Sequence, residues 1–449
     1  MMQQYPKVKD ASASWLGSIP SHWDCKKVGS LFSERKVKVS DKDYQPLSVA
    51  KIGVVPQLDT AVKTDAGDNR KLVCAGDFVI NSRSDRKGSC GVSELDGSVS
   101  LINIVLKPRN EWNHKYVHYL MRSHVFSEEY YRYGRGIVAD LWTTRFSEMK
   151  NILLPVPPHD EQDQIVRFLD WKASEINKLI NIRKRQITEL EELKRSKIGN
   201  IVMGQTFDVP PKETGVSWVK SIPAHWEEHA LIQVAEEQQI KNTGMVEDNL
   251  LSLSYGKIIN KDINTTDGLL PASFEGYQII NSGNIVLRLT DLQNDHRSLR
   301  TGLATQRGII TSAYTCLKAR DNVLPEYLQL QLHVADLCKV FYGMGGGVRQ
   351  SIGFKDIRRL MVAVPPLDEQ RDILKAVNGI EVPINSVIAK YQEIILSLEE
   401  LKTKLISDVV TGKIDVCDVV IPDYEYVDEE VDTAETDDSE ENTEEQEDE

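Results

Sequence analysis

The sequence predicts an α/β chain of the mixed, α+β kind. It has two tandem mixed α/β domains, two long antiparallel coiled-coil helices that separate them, and a pseudo-twofold relation between the halves. Three observations predict it. Words recur half a chain apart: SWLGSIPSHWD (14–24) returns as SWVKSIPAHWE (217–227), LPVPPHDEQDQI (154–165) as VAVPPLDEQRDI (362–373), and ITELEELK (187–194) as ILSLEELK (395–402). The offset is 203 at the first match and 208 at the other two, so one unit has been used twice. Between the words lie short apolar runs bounded by turn residues. After each Pro-Pro comes a segment almost free of glycine and proline.

The first domain is expected over 14–157. GDFVINSR (76–83) opens on glycine and reads as a strand, and VSLINIVLKPR (99–109) reads as another. KYVHYLMRSHVFSEEY (115–130) has apolar residues three to four apart and reads as one amphipathic helix. The second domain, 217–364, repeats the plan. GNIVLRLT (283–290) is a strand and PEYLQLQLHVADLCKV (325–340) a helix.

The helical segments are 158–206 and 365–412, the second closing by 415. Stepping by four and three gives Ile176, Ile180, Arg183, Ile187, Leu190, Lys194, Lys197 and Ile201 in the first. The same register gives Ile384, Ile388, Tyr391, Ile395, Leu398, Lys402, Leu405 and Val409 in the second. This is an imperfect coiled-coil seam in both copies. Pro157–Pro158 and Pro365–Pro366 precede the helices, where a missing N–H costs least. Gly204 and Gly412 stand where helices stop. Pro383 is expected to break or kink the second helix. A helix of about 40 residues spans ~60 Å and needs a partner for its seam; the other copy is the nearest one.

Composition narrows the function. The chain has 449 residues, 41% hydrophobic and 27% charged, enough for several ordinary cores. Its net charge is −14, yet residues 423–449 hold 16 acids and no base. Without them 54 bases face 52 acids, so the body is near neutral and can carry local basic faces. That acidic tail is expected to be disordered, either a solubilising end or a mimic of DNA charge. No long apolar run predicts a membrane span, and no leader predicts secretion, so the expected location is cytoplasmic. The six scattered cysteines read as reduced thiols rather than zinc ligands.

Enzyme motifs are sparse. There is no GxxxxGK[ST] phosphate loop and no dinucleotide-binding GxGxxG. The Asn-Pro-Pro-Tyr loop of amino-methyltransferases is missing; His159 and Leu367 follow the prolines. Asp140, Glu148 and Lys150 could form a magnesium nuclease triple, but the second copy has Val348, Asp356 and Arg358 there. His22 and His225 read as turn caps beside packed tryptophans.

Candidate DNA-binding residues are more numerous. Arg83, Arg86 and Lys87 follow a strand. Tyr133, Arg135, Trp142 and Arg145 lie in and after YYRYGRG (130–136). In the second half come Arg288, Arg297, Arg300 and Arg307, then Gly346, Arg349, Gln350 and Lys355. Arginine pairs with guanine edges, lysine and backbone amides grip phosphate, and glycine allows close approach.

With these words in order, and twice, the chain resembles the specificity subunit of type I restriction–modification systems. The SIPxHW openings, GGGVRQSIGFKDIRRLMVAVPPLDEQ (345–370) and the ELEELK helices carry the resemblance over about 14–415. It implies two target recognition domains, each reading part of a split DNA sequence, with the helices setting the gap. It implies no active site and no cofactor in this chain. S-adenosylmethionine, ATP and magnesium would act in partner methyltransferase and motor-nuclease subunits. The half-sites would lie ~34 Å or more apart. The acidic tail is outside the family pattern. The alternatives are a magnesium-dependent nuclease and a tandem-domain scaffold for protein partners.

Overall fold

The computed structural model describes residues 3–57, 67–109, 111–136, 142–216, 218–263, 273–292, 299–344 and 351–428. The chain divides into two units. Unit 1 holds Met1–Lys184 and Gln392–Glu430, and unit 2 holds Arg185–Tyr391 and Val431–Glu449.

Unit 1 is built on a four-stranded antiparallel sheet in the order Cys90–Val92, Phe78–Asn81, Asn103–Pro108, Phe32–Glu34. The strands alternate by twos. Phe78, Ile80, Ile104 and Leu106 face the main core, and Val79 and Val105 face a second, smaller core under Arg70–Val73 and Gly97–Val99. Helices α1 (Val28–Leu31), α2 (His114–Arg122), α3 (His124–Arg132) and α4 (Phe146–Met149) complete the domain ahead of the long α5 (His159–Val202).

Two sequence expectations need correcting here. The stretch 115–130 is two helices, because Ser123 leaves helical backbone geometry and its hydroxyl caps α3 at Phe126 N. The stretch 99–109 is not one strand: Gly97–Val99 ends in the small sheet, and a turn closed by Asn103 N to Ser100 O separates it from Asn103–Pro108.

Unit 2 has α6 (Leu231–Val234), α7 (Pro325–Leu337), α8 (Phe354–Ile357) and α9 (Leu367–Val410). Its sheet runs Thr301–Leu303, Asn284–Leu287, Thr315–Ala319, Ala235–Glu237. That is the strand order of unit 1. Ile285, Leu287 and Leu317 face the main core; Val286 and Cys316 face the small one.

Helices α5 and α9 have 44 residues each. Within unit 1, Ile176 and Ile180 pack with Ile395, Leu398, Leu405 and Val409, and Lys402 Nζ donates to Asn177 Oδ1 at 2.8 Å. Within unit 2, Lys194 Nζ donates to Asn385 Oδ1 at 2.9 Å. Two of the seam lysines, Lys194 and Lys402, thus find asparagine amides, which helps an imperfect apolar seam to be tolerated. Pro383 does not break α9. The helix runs on through Pro383, which removes one N–H from its ladder.

The repeated words meet one another. Trp23 and Trp226 are wholly buried at the heads of their units. The expected caps are instead long-range pairs: His22 Nε2 lies 2.8 Å from Glu161 and His225 Nε2 2.7 Å from Glu369, both acids in the first turn of a long helix. The next residue acts as a clamp. Buried Gln162 accepts from Asn113 N and donates to Pro157 O; buried Gln370 accepts from Leu324 N and donates to Pro365 O. Gly204 and Gly412 close the joints with φ of +73° and +74°. A Cβ at Gly204 would stand 2.5 Å from Pro223, and one at Gly412 2.3 Å from Pro20, so only glycine fits both turns.

The tail starts later than the composition predicts. Residues 423–428 lie along α5, held by backbone hydrogen bonds to Ser174, Asn177 and Asn181. Residues 429–449 lie outside the described part.

Candidate nucleic-acid interface

In unit 1 a short segment gathers several of the candidate residues. Thr143 bridges to both Arg83 and Arg135. Ser84 N donates to Trp142 O, and Thr144 N donates to Ser82 O, each at 2.9 Å. Arg83, Arg135, Trp142 and Arg145 therefore share one neighbourhood, although 62 positions separate Arg83 from Arg145 in the chain.

Arg83 and Arg145 line a concavity of about 600 Å³ with Lys36, Lys71, Lys150 and Phe146. Five cations face one carboxylate, Glu34, which is already engaged by Lys36 at 3.1 Å and Lys71 at 3.7 Å. Burial holds Lys71 below its ordinary pKa, opposed by Glu34. Leu101 and Ile102 stand exposed at the rim, on a turn pinned by Lys71 Nζ donating to Asn103 O at 2.7 Å. A basic concavity with an apolar rim suits a polyanion that also carries flat apolar surfaces.

The remaining unit 1 candidates lie around a second concavity of about 500 Å³, lined by Trp15, Glu128, Glu129, Tyr131, Arg132 and Trp142. Lys87 stacks over Tyr131 at 5.7 Å and pairs with Glu128. Arg86 stands exposed 3.9 Å from Asp85, and Tyr133 lies under the Arg132 guanidinium at 5.2 Å. Lys87 is thus a neutralised cation, whereas Arg83 and Arg145 face a surplus of positive charge.

Unit 2 divides the candidates differently. Arg297, Gly346, Arg349 and Gln350 lie outside the described residues. Arg300 is 0% exposed. Its guanidinium donates to the carbonyls of Thr290 and Asp291 and to Tyr342 Oη, and its backbone N donates to Asp336. Arg300 is therefore an internal brace, and the expectation that it contacts DNA is corrected: its donors are spent on backbone acceptors. Arg288 is partly buried beside it, its N donating to Arg300 O. Arg307 pairs with Glu247 at 2.8 Å. Lys355 is exposed at the start of α8.

Sequence reasoning missed Lys36 and Lys71 as part of a face. Lys36 stands in the alternating KVKVS run and Lys71 in a strand, but only strand pairing brings them beside Arg83. For the nuclease alternative, Asp140 lies outside the described residues. The Glu148 carboxylate accepts from Ser147 Oγ at 2.7 Å, which lowers its pKa. Asp356, at the second-copy position, caps α8 by accepting from Gly353 N at 2.9 Å. Among the described residues no group of three or more His, Cys, Asp or Glu is placed to hold a metal, and no helix is long and apolar enough to cross a membrane.

Two α+β heads, each clasped by the same words onto paired long helices, define a tandem-domain scaffold. The fold is shared with a solved chain from "Structural basis underlying complex assembly and conformational transition of the type I R-M system". The TM-score is 0.60 and the identity 15%, over 88% of this chain and 99% of that one. The chain is also 20% identical over 443 residues to a Methanocaldococcus jannaschii protein provisionally named type I restriction enzyme MjaX specificity subunit, covering 93% of this chain and 99% of that protein. A crystal structure of the HsdS subunit from Thermoanaerobacter tengcongensis aligns over 88% of this chain and 98% of its own, at 17% identity and a TM-score of 0.42. No protein-family model matches the chain. The fold shared at a TM-score of 0.60 and the Methanocaldococcus relative agree with the resemblance that the repeated words carry, and neither supports the nuclease alternative.

Proposed function

We propose that this chain is the DNA-recognition subunit of a type I restriction–modification complex. Each α+β head reads one half of a bipartite target, and the helix pair sets their separation and presents surfaces to methyltransferase subunits. A motor-nuclease subunit joins that assembly. The chain itself carries out no chemistry; S-adenosylmethionine, ATP and magnesium act in the partners, in the cytoplasm. In unit 1, Arg83, Arg145, Lys36, Lys71 and Lys150 hold phosphate, and Arg135 and Trp142 stand beside them at the groove. In unit 2, Arg288, Arg297 and Lys355 take those roles with the Gly346–Gln350 stretch.

One observation carries this reading: a doubled frame with the same joints in both copies holds different exposed faces. A protein that reads two unlike half-sites needs that combination. The test is to co-express the chain with its methyltransferase partner and map the methylated bases. The expected result is two short defined sequences separated by a fixed run of unspecified bases. Methylation that does not depend on this chain, or that follows a single uninterrupted sequence, overturns the reading.

A further inference from the structure

Residues 416–428 follow α9 and run along α5. Gln164 Nε2 donates to Val416 O at 3.0 Å and to Val419 O at 2.8 Å. Ser174 Oγ donates to Glu425 O at 3.1 Å and accepts from Val427 N at 2.8 Å. Asn177 Nδ2 donates to Val427 O at 3.1 Å, and Asn181 Nδ2 to Asp428 O at 3.0 Å. The spacing matches an extended peptide: three extended residues cover ~10 Å, and the seven helical residues from Ser174 to Asn181 rise ~10 Å. With residues 416–428 in place, Ser174, Asn177 and Asn181 are 2%, 5% and 7% exposed. Three polar side chains buried on one helix face are costly unless something satisfies them, and here peptide backbone does. Val416 is buried, and Val419 and Ile421 pack on the unit 1 core.

The counterpart face on α9 is different. At the offset of 208, Ser174, Asn177 and Asn181 correspond to Val382, Asn385 and Ala389, and Val382 is 60% exposed. The joints explain the contrast. In unit 2 the chain runs covalently from Gly204 through Phe207, which packs edge-on to Trp226 at 5.8 Å, into strand Pro211–Glu213. In unit 1 two segments far apart in sequence make the same joint. Gly412 packs on Pro20, Asp415 bridges to Gln3, and Tyr5 packs edge-on to Trp23 at 5.7 Å.

We propose that the face of α5 bearing Gln164, Ser174, Asn177 and Asn181 is a docking site for an extended peptide, read through its backbone. Residues 416–428 are its resident ligand, and their docking fastens the open joint of unit 1 as the covalent chain fastens that of unit 2.

Hydrogen exchange on the full chain and on a chain ending at Asp415 tests this. Removing the segment should speed exchange at residues 3–10 about tenfold or more and leave residues 208–213 unchanged. A synthetic peptide of residues 416–428 should bind the shortened chain saturably and restore protection. The same peptide with Val427→Pro, which lacks the N–H given to Ser174, should bind at least several-fold more weakly. If the shortened chain fails to fold, full-length Ser174→Ala/Asn181→Ala should show the same selective loss. Unchanged exchange at 3–10 in both variants, or a peptide that does not bind, overturns the proposal. The methylated sequence should be the same with and without the segment, so this proposal and the DNA reading fail separately.

Discussion

The two units solve the same packing problem with different polar chemistry. In unit 1, Arg35 pairs with Asp77 through two bonds of 2.6 and 3.0 Å. The matching strand positions in unit 2 hold Gln238 and Asn284, whose amides exchange bonds of 3.4 and 3.3 Å. An ion pair has become an amide pair with both partners changed together. The acids at the helix starts differ in the same way. Glu161 engages Tyr5, His22 and Cys417, while Glu369 engages His225 and the Trp226 indole. Trp23 Nε1 has no hydrogen-bond partner among the described residues. Burial, then Glu161, pushes the Tyr5 phenol well above its ordinary pKa. What both units keep is the joint geometry; pair chemistry and the exposed face vary.

The largest effects should come from breaking the shared frame in one unit at a time. Trp23→Ala should cost about 3–5 kcal/mol and Trp226→Ala a similar amount. Hydrogen exchange should rise throughout the mutated unit and stay low in the other; equal loss in both would mean that the units are not separately cooperative.

Arginine substitutions separate brace from face. Arg300→Met strands several buried carbonyls and should destabilise unit 2 by about 3 kcal/mol in thermal unfolding. Arg83→Ala/Arg145→Ala should leave stability nearly unchanged. It should lower the slope of log affinity against log salt by about 2, since each lost phosphate contact removes about 0.9. A double variant with normal salt dependence would remove both residues from the interface.

Much of this was legible in the sequence. The doubled words located both joints, and short apolar runs opening on glycine located the central strands. The Ser123 break was not legible, because apolar spacing continues across it and only the hydroxyl cap shows the stop. Arg300 could not be told from Arg83: both are arginines near a strand end, and burial decides the role. Lys36 and Lys71 came into the face only through strand register, which local pattern does not specify. The docked segment was hidden because residues 423–428 were read with the acidic tail that follows them, and the side-chain amides that α5 offers to its backbone leave no pattern in the segment itself.

Smaller effects sharpen the comparison. Asp77→Asn alone should cost about 2 kcal/mol, because Arg35 loses its charged partner. Arg35→Gln/Asp77→Asn, which copies unit 2, should recover most of that in denaturant unfolding. His118 supplies the pH dependence. Burial, with Arg122 and Lys115 adding to it, lowers its pKa to about 4. The unfolded chain takes up this proton first, so the group costs unit 1 stability as pH falls from about 6.5 towards 4. His118→Gln, the residue at the matching position Gln329, should flatten that part of the stability curve.

The central claim is that each unit reads its own half of the target through an interchangeable face on a common frame. The direct measurement is methylation mapping for a chain in which residues 217–364 are replaced by a second copy of residues 14–157. The account predicts a target with the same half-sequence at both ends, in inverted orientation, with the gap unchanged. A target that keeps its two original unlike halves would contradict it.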